Sequence, residues 1–174
     1  EEAAALRAAG VRAADTVPVG VMIETPAAVV IADMLADVCA FFSVGTNDLT
    51  QYTMAVDRGN ARLAARFTPF HPSIVRQLDT VRRVGTERDL PVSVCGEMAS
   101  DPLGAVLLVG LGYPRLSVAS PALPLIKWIL RTVPEAAARK ASANAMVAPD
   151  TEDVIAALRE GLRDYVDLRV IGHA

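Results

Sequence analysis

Short, nearly continuous runs of apolar and β-branched residues recur along the chain, between longer segments whose apolar residues are three or four positions apart. The runs span residues 17–23, 40–44, 91–94 and 116–119. Continuous hydrophobicity is typical of strands covered on both faces, and hence of parallel strands. A spacing of three or four is typical of helices that bury one face. The pattern therefore predicts four consecutive βα units.

Residues that commonly begin helices stand where this pattern requires them. Thr25 is placed as an N-cap, with Pro26 as the first helical residue after the first run. Asp101 is placed in the same way before the helix that follows the third run, and Ser73 is predicted to cap the helix that precedes it. Each predicted strand is thus followed by a helix with its own start signal.

Four βα units form either half of a (β/α)8 barrel of the TIM type or a small doubly wound sheet. The sequence lacks the glycine-rich motifs of nucleotide-binding sheets, which favours the half-barrel. Further helical patterns begin at Pro134 and Asp150. The predicted organisation is α/β, with barrel units over about residues 17–133 and a helical tail over about 134–174.

Composition and charge narrow the range of partners. The 174 residues are 52% apolar, which is enough to bury a core within one domain. A net charge of -3 at pH 7 gives no electrostatic reason to expect binding to nucleic acid or to an anionic membrane. No apolar run approaches the length of a membrane span.

The chain begins inside a helical pattern without Met, so we expect a piece of a longer protein.

The two cysteines, Cys39 and Cys95, lie far apart and form no Cys-x-x-Cys motif. This spacing predicts neither a zinc site nor a disulfide framework. It is in keeping with a reducing cytoplasm.

Polar residues follow the predicted strands at the point where each strand ends. They are Glu24, Asn47, Asp48 and Cys95. Because the carboxyl ends of parallel strands meet at one edge, we expect these side chains to share one mouth. Two carboxylates, together with water and substrate oxygens, commonly hold Mg2+. The sequence therefore predicts a site for magnesium and a polar substrate.

Each of these residues also has a structural interpretation. Glu24 can stabilise the dipole of the helix that follows it, and Asp48 can cap a turn. Cys95 can be a small buried apolar residue, and the residues alone leave that interpretation and an acid/base role equally open.

A long loop is predicted over residues 46–72, between the second strand and the next helix. Within it, the turn over residues 57–60 would present Arg58, whose guanidinium can clamp a phosphate or a carboxylate. A solvated arginine is the alternative. His71 is expected to be a packing residue, and His173 to lie in a frayed terminus.

Four segments together resemble one family. They are residues 21–26 (VMIETP), 43–52 (SVGTNDLTQY), 56–60 (VDRGN) and 95–99 (CGEMA). In order and spacing they resemble enzyme I, the phosphoenolpyruvate-protein phosphotransferase of the sugar phosphotransferase system, over the second half of its C-terminal barrel. Pyruvate phosphate dikinase and phosphoenolpyruvate synthase share the core of the second segment. Tyr52 and the third segment resemble enzyme I more closely, with its nitrogen-related branch left open.

The resemblance implies an enzyme that transfers the phosphoryl group of phosphoenolpyruvate (PEP) to a protein histidine and releases pyruvate. It implies Mg2+ as cofactor, a histidine-containing phosphocarrier protein as partner, a homodimer and a cytoplasmic location. Glu24 and Asp48 would ligate Mg2+, and Asn47, Asp48 and Arg58 would hold PEP. Cys95 would protonate the enolate to give pyruvate.

The resemblance also places the phosphorylatable histidine and two substrate-binding arginines outside this chain, so we expect the chain alone to be inactive. Two rival functions stay open. A dikinase or synthase would use the same barrel to make PEP, and a regulatory module would keep the mouth without turnover. Because the edge strands near Val21 and Val118 would lack partners, we expect the isolated chain to pair with another copy or with the missing half.

Overall fold

The computed structural model describes residues 2–12, 14–57, 59–60, 63 and 66–173. Within them, three strands form a parallel sheet in the order β1-β2-β3. The strands are β1 Val21–Ile23, β2 Phe42–Gly45 and β3 Val92–Cys95. Parallel neighbours need a crossover connection, and helices supply it between each pair of strands here.

Helices make up most of the remaining fold, which confirms the predicted α/β class. They are α1 Glu2–Ala8, α2 Pro26–Val30, α3 Ala32–Ala36, α4 Thr46–Met54, α5 Pro72–Glu87, α6 Pro102–Leu111, α7 Leu123–Thr132, α8 Glu135–Val147 and α9 Thr151–Leu162. Short 3-10 turns lie at Glu97–Ser100 and Ser120–Ala122. In the described part of the chain, no helix is long and apolar enough to cross a membrane.

Side chains alternate across the sheet between a covered and an open face. Ile23, Val44 and Val94 are fully buried and share one core with residues of α5. Ser43 and Cys95, which alternate with them along the strands, are only half-buried. Successive side chains of a strand point to opposite faces, so these two belong to the second face. In a closed barrel that face would point into the interior.

The fourth predicted strand, residues 116–119, is reduced to a single parallel bridge between Leu116 and Val94. Two backbone hydrogen bonds of 3.0 and 2.8 Å make the bridge. A few residues later the Ala119 N–H donates to the Ser100 side chain, over 3.0 Å, and the chain enters a 3-10 turn. The described sheet therefore has three strands, and four complete βα units are not confirmed.

Helix α4 begins directly after β2, where the sequence predicted the start of a long loop. Gly45 is its N-cap and Thr46 its first residue. Asn and Asp disfavour helix interiors but are accepted in the first turn, which is why this polar run suggested a loop. Leu49 and Thr50 give the helix a buried face. The predicted loop is therefore wrong up to Met54.

Cap hydrogen bonds confirm several predicted helix starts. Thr25 Oγ1 accepts from the Ala28 N–H over 3.2 Å at the start of α2. Asp101 and Asp150 cap α6 and α9 in the same way. The helix expected after Thr25 is not continuous, however, since Ile31 leaves helical geometry and separates α2 from α3.

Helix α5 starts two residues earlier than predicted, and Ser73 is not its cap. The N-cap is His71, whose Nδ1 accepts from the Ser73 N–H over 3.2 Å. Pro72 takes the first helical position, where its missing N–H does no harm. His71 thus has a capping role beyond the packing role expected from the sequence.

Helices α6 and α8 approach closely at Gly110. A Cβ on Gly110 would lie 2.1 Å from Ser142 Oγ and 2.3 Å from the Ala138 carbonyl oxygen. Ser142 Oγ itself donates to the Leu107 carbonyl over 3.0 Å. Helix α9 packs against α8 and buries Leu158 completely. The carboxyl-terminal helices therefore extend the same core.

Two polar contacts fasten other parts of the chain to α5 and α6. The hydroxyl of the buried Tyr113 donates to the Leu78 carbonyl over 2.7 Å. Burial raises the pKa of Tyr113 far above its ordinary value, so the phenol stays neutral. His173 Nε2 lies 2.8 Å from Asp101 Oδ2, which contradicts the frayed terminus expected for His173.

Candidate active site

The carboxyl ends of the three strands bring several of the predicted site residues to one edge of the sheet. Glu24 follows β1, and Cys95 is the last residue of β3. Gly45 ends β2 and is paired in register with Cys95. Asn47 follows two residues later, in the first turn of α4. Parallel strands place these positions at a common edge, as the sequence predicted.

Gly45 leaves room for the Glu24 side chain. A Cβ on Gly45 would lie 3.0 Å from Glu24 Oε2 and 3.0 Å from Glu24 Cβ. Any larger residue at this strand end would displace the carboxylate. The glycine therefore keeps a half-buried carboxylate next to the start of α4.

A tight turn after Cys95 is held against the first turn of α4 by two hydrogen bonds. Thr46 Oγ1 donates to the Cys95 carbonyl over 3.0 Å, and the Glu97 N–H donates to Asn47 Oδ1 over 3.0 Å. Gly96, between them, has φ 108°, in the region that favours glycine. A Cβ there would lie 2.3 Å from Thr46 Oγ1. We call residues 95–97 the Cys95 turn.

The Cys95 thiol has two polar neighbours on β2. Its Sγ lies 3.4 Å from the Val44 carbonyl oxygen, to which the S–H can donate, and 3.6 Å from Ser43 Oγ. The thiol is half-buried at the open face of the sheet. A carbonyl acceptor suits a protonated sulfur. The arrangement is therefore compatible with a thiol that holds a proton.

Asp48 lies half-buried in the first turn of α4, two positions after Thr46. Among the described residues, no three His, Cys, Asp or Glu side chains form a group that could hold a metal ion by themselves. A pair of carboxylates is nevertheless the usual protein contribution to a Mg2+ site, which is completed by water and substrate oxygens. The roles predicted for Glu24 and Asp48 stay predictions.

Arg58, predicted to hold substrate, lies outside the described residues. The turn around it is described in part: Asp57 Oδ1 accepts from the Gly59 N–H over 2.8 Å, and the Asn60 N–H donates to the Asp57 carbonyl over 3.0 Å. These contacts agree with the turn that the sequence predicted at residues 57–60.

Several surface clefts of the described residues lie away from this edge. One of about 410 Å³ includes Leu90 and Pro91 in its lining, near the amino end of β3. Arg82 and Arg115 also line this cleft, so its charge does not exclude an anion, but none of Glu24, Asn47, Asp48 and Cys95 lies in its lining. Another, of about 440 Å³, lies between α8 and α9. At the other edge, the first turn of α4 provides a helix N-terminus, whose field is favourable for an anionic substrate.

Sequence reasoning missed the roles of Ser43 and Thr46 in this site. Both lie in the segment of residues 43–52, in which functional roles were predicted only for Asn47 and Asp48. Strand alternation places Ser43 on the same face as Cys95. The contact of Thr46 could not be found in this way, because it depends on the turn at Gly96.

Comparison with known proteins identifies the family. A family model described as "PEP-utilising enzyme, PEP-binding domain" matches residues 1–134. The chain belongs to this family. The resemblance inferred from the four segments is confirmed, and helices α8 and α9 lie beyond the part that the PEP-binding domain family matches.

Three curated relatives show what this PEP-binding domain is similar to. A phosphoenolpyruvate-protein phosphotransferase from Geobacillus stearothermophilus is 44% identical over 140 residues, which are 80% of this chain and 24% of that protein. One from Buchnera aphidicola is 38% identical over 139 residues, again 80% and 24%. A multiphosphoryl transfer protein from Xanthomonas campestris is 43% identical over 150 residues, or 85% and 18%. The chain thus spans a quarter or less of these relatives.

Proposed function

We propose that this chain is part of the PEP-binding barrel of a phosphoenolpyruvate-protein phosphotransferase. Such an enzyme moves the phosphoryl group of PEP to a protein histidine and releases pyruvate. The observation that carries the proposal is the Cys95 turn, which is fastened to the first turn of α4 beside Glu24 in a chain of this family. The names of the relatives favour phosphotransferase over dikinase chemistry.

Asn47 is suited to bind the acceptor oxygens of PEP. Its Oδ1 accepts from the Glu97 N–H. The amide is therefore oriented so that Nδ2 points away from Glu97. Phosphate and carboxylate oxygens accept hydrogen bonds, which makes the two Nδ2 protons the useful ones. The N-terminus of α4 adds a favourable field for negative charge. Asp48 and Arg58 complete the proposed substrate site.

Glu24 and Asp48 are the proposed ligands of Mg2+. The space that Gly45 leaves for the Glu24 carboxylate and the hard oxygen donors of both residues fit this ion. When bound, Mg2+ would neutralise negative charge on the phosphoryl and enolate oxygens. In the full-length protein, Asp48→Asn is expected to raise the Mg2+ concentration needed for pyruvate formation. An unchanged Mg2+ dependence would remove Asp48 from the metal site.

Cys95 is the proposed acid of the reaction. After phosphoryl transfer, the S–H proton moves to the methylene carbon of the enolate, which becomes the methyl group of pyruvate, and the sulfur is left as a thiolate. The half-buried thiol supports this role, because its S–H can donate to the Val44 carbonyl and is thereby oriented at the open face of the sheet.

The test measures solvent exchange of the pyruvate methyl protons in the full-length enzyme. Cys95→Ala is expected to slow exchange by about 100-fold or more, the range of general acid catalysis. Cys39→Ala is the matched control, because Cys39 is also half-buried but precedes β2, at the opposite edge of the sheet. Wild-type exchange in the Cys95 variant would leave Cys95 as a packing residue and remove the acid from the proposal.

The proposal also includes a histidine-containing phosphocarrier as the next phosphoryl acceptor, a homodimer and a cytoplasmic location. The name "multiphosphoryl transfer protein" of the Xanthomonas relative supports the part that concerns several phosphoryl transfer steps. The chain alone is proposed to be inactive, since it spans only a quarter or less of the three relatives named above.

A further inference from the structure

The backbone pairing of β2 with β3 ends at Gly45 and Cys95. The segments that follow the two strands are nevertheless joined by a further hydrogen bond. The register pairs Gly45 with Cys95. Thr46 is the next residue, but it belongs to α4 and cannot continue the ladder with its backbone. Its side chain does so instead, because Thr46 Oγ1 donates to the Cys95 carbonyl over 3.0 Å.

This hydroxyl is well protected from water. Thr46 is only 1% exposed, and a carbonyl that loses its donor in such a place is not readily satisfied by solvent. Gly96 makes the contact possible, since any Cβ at that position would lie 2.3 Å from Thr46 Oγ1. The hydrogen bond between Thr46 and the Cys95 carbonyl therefore requires a glycine at position 96.

The second attachment lies one residue further along α4 and two residues further along the Cys95 turn. Asn47 Oδ1 accepts from the Glu97 N–H, so consecutive residues of α4 hold the two ends of the Cys95 turn. The proposed acid and the proposed substrate amide are thereby connected through one helical turn. The distance between Cys95 and Asn47 is therefore set by these hydrogen bonds and not by an unattached loop.

We propose that Thr46 is a positioning residue that fixes the Cys95 thiol at the distance from Asn47 required for proton transfer. This rests on the proposed function, in which Cys95 is the acid. Thr46 touches neither the thiol nor the substrate amide through its hydroxyl; it acts through the Cys95 carbonyl. Proton transfer depends steeply on distance, and a misplacement of about 1 Å can reduce a rate about 100-fold.

Thr50 provides a matched control on the same helix. It is also buried, and its Oγ1 donates to the Thr46 carbonyl over 2.7 Å. That hydrogen bond stays inside α4 and does not reach β3. Thr→Val at either position keeps the shape and removes one buried hydroxyl, so the two variants differ in what the hydroxyl holds.

The experiment compares two rates in the full-length enzyme: solvent exchange of the pyruvate methyl protons and phosphorylation of the enzyme by PEP. Thr46→Val is expected to slow exchange by about 10- to 100-fold while phosphorylation falls much less. Thr46→Ser should restore exchange because it restores the hydroxyl. Thr50→Val should exchange within about 3-fold of the wild-type rate, since the hydrogen bond that it loses lies within α4 and does not hold the Cys95 turn.

Two results would overturn the positioning role. One is Thr46→Val with the exchange rate of Thr50→Val, and the other is an equal loss of both rates, which a damaged fold would give. If Thr46→Val does not fold, Thr46→Ala gives the same comparison, with Thr46→Ser again as the rescue.

The same substitutions in a Cys95→Ala background separate this proposal from the one on which it rests. A residue that acts through Cys95 has no further effect on exchange when the thiol is absent, so the double variant should match Cys95→Ala. A further loss in the double variant would contradict the proposal. If Cys95→Ala itself exchanges at the wild-type rate, the proposed acid fails and not merely its positioning.

Discussion

The amino-terminal part of the chain leaves many apolar side chains exposed, whereas the carboxyl-terminal helices bury most of theirs. Helix α1 buries no residue, and Val17, Val30 and Val38 are 72%, 80% and 80% exposed. Helix α6 is buried along most of its length and packs against α8 and α9. The carboxyl-terminal helices therefore bury their apolar residues in the common core, whereas the amino-terminal part presents apolar surface that a larger protein would cover.

The sheet shows the same asymmetry. Strand β1 pairs with β2 on one side, and among the described residues nothing pairs with its other side. The outer edge of β3 is paired at one position, through the bridge between Val94 and Leu116. An unpaired, apolar strand edge is avoided in finished folds. The comparison thus locates the incomplete side of the domain at β1, in agreement with a chain that spans part of its relatives.

The comparison predicts unequal costs for the same truncation. Leu158→Ala in α9 removes a fully buried side chain and is expected to lower the free energy of unfolding by about 2–5 kcal/mol. Leu6→Ala in α1 removes one that is 43% exposed and should change it by about 0.5 kcal/mol or less. Urea unfolding, followed through the single Trp128, measures both. Equal losses would contradict the asymmetry.

Gly110→Ala tests how closely the carboxyl-terminal helices are packed. The new Cβ would meet the Ala138 carbonyl and Ser142, so α6 and α8 must separate, at a cost of about 1–3 kcal/mol. Gly10→Ala is the control, because a Cβ on Gly10 would meet nothing within 4 Å. Gly10 has φ 74°, so its substitution introduces backbone strain without any collision. A loss at Gly110 no larger than that at Gly10 would show that the helices are loosely packed.

A smaller effect is expected at the end of the chain. His173→Ala removes the contact with Asp101 and should lower the free energy of unfolding by about 1 kcal/mol or less. Asp101 still caps α6 through its other oxygen in this variant. Hydrogen exchange should rise in residues 166–173 and not in α6. Faster exchange throughout α6 would mean that His173 supports the helix and not only the tail.

The smallest effect on stability should accompany a clear change in association. Val30→Ser with Val38→Ser alters two highly exposed side chains, so the free energy of unfolding should change by about 0.5 kcal/mol or less for each. We expect the isolated chain to self-associate at micromolar concentration through its apolar, incomplete side, and the double variant to do so less. Light scattering measures this. A wild-type chain that is a sharp monomer of 18.4 kDa and melts cooperatively would contradict the half-barrel prediction.

The α/β class, the strands and most caps could be predicted from local pattern, because buried parallel strands and capping residues leave short-range signals. Thr25, Asp101 and Asp150 act as caps as predicted. The fourth strand could not be judged in this way. Residues 116–119 are as apolar as a strand, but pairing depends on tertiary contacts that the local pattern does not carry, and only Leu116 forms a bridge.

For the candidate site, the sequence was sufficient to predict which residues lie at the carboxyl edge of the sheet. The order of strands and the polar residues at their ends were enough to group Glu24, Asn47 and Cys95. The orientation of Asn47 was not predictable, since it depends on the Glu97 N–H fifty positions away. Nor was the contact of Thr46, which requires the positive φ of Gly96.

The buried Tyr113 gives the molecule an optical reporter of its own unfolding. Burial raises the pKa of its phenol far above the ordinary tyrosine value of about 10, whereas the unfolded chain releases the proton near that value. Since the unfolded state then binds fewer protons, stability should fall as pH rises above about 10, by up to about 1.4 kcal/mol per pH unit. Tyrosinate absorbance from Tyr113, obtained by subtracting the Tyr113→Phe variant, should therefore appear together with the loss of helical circular dichroism.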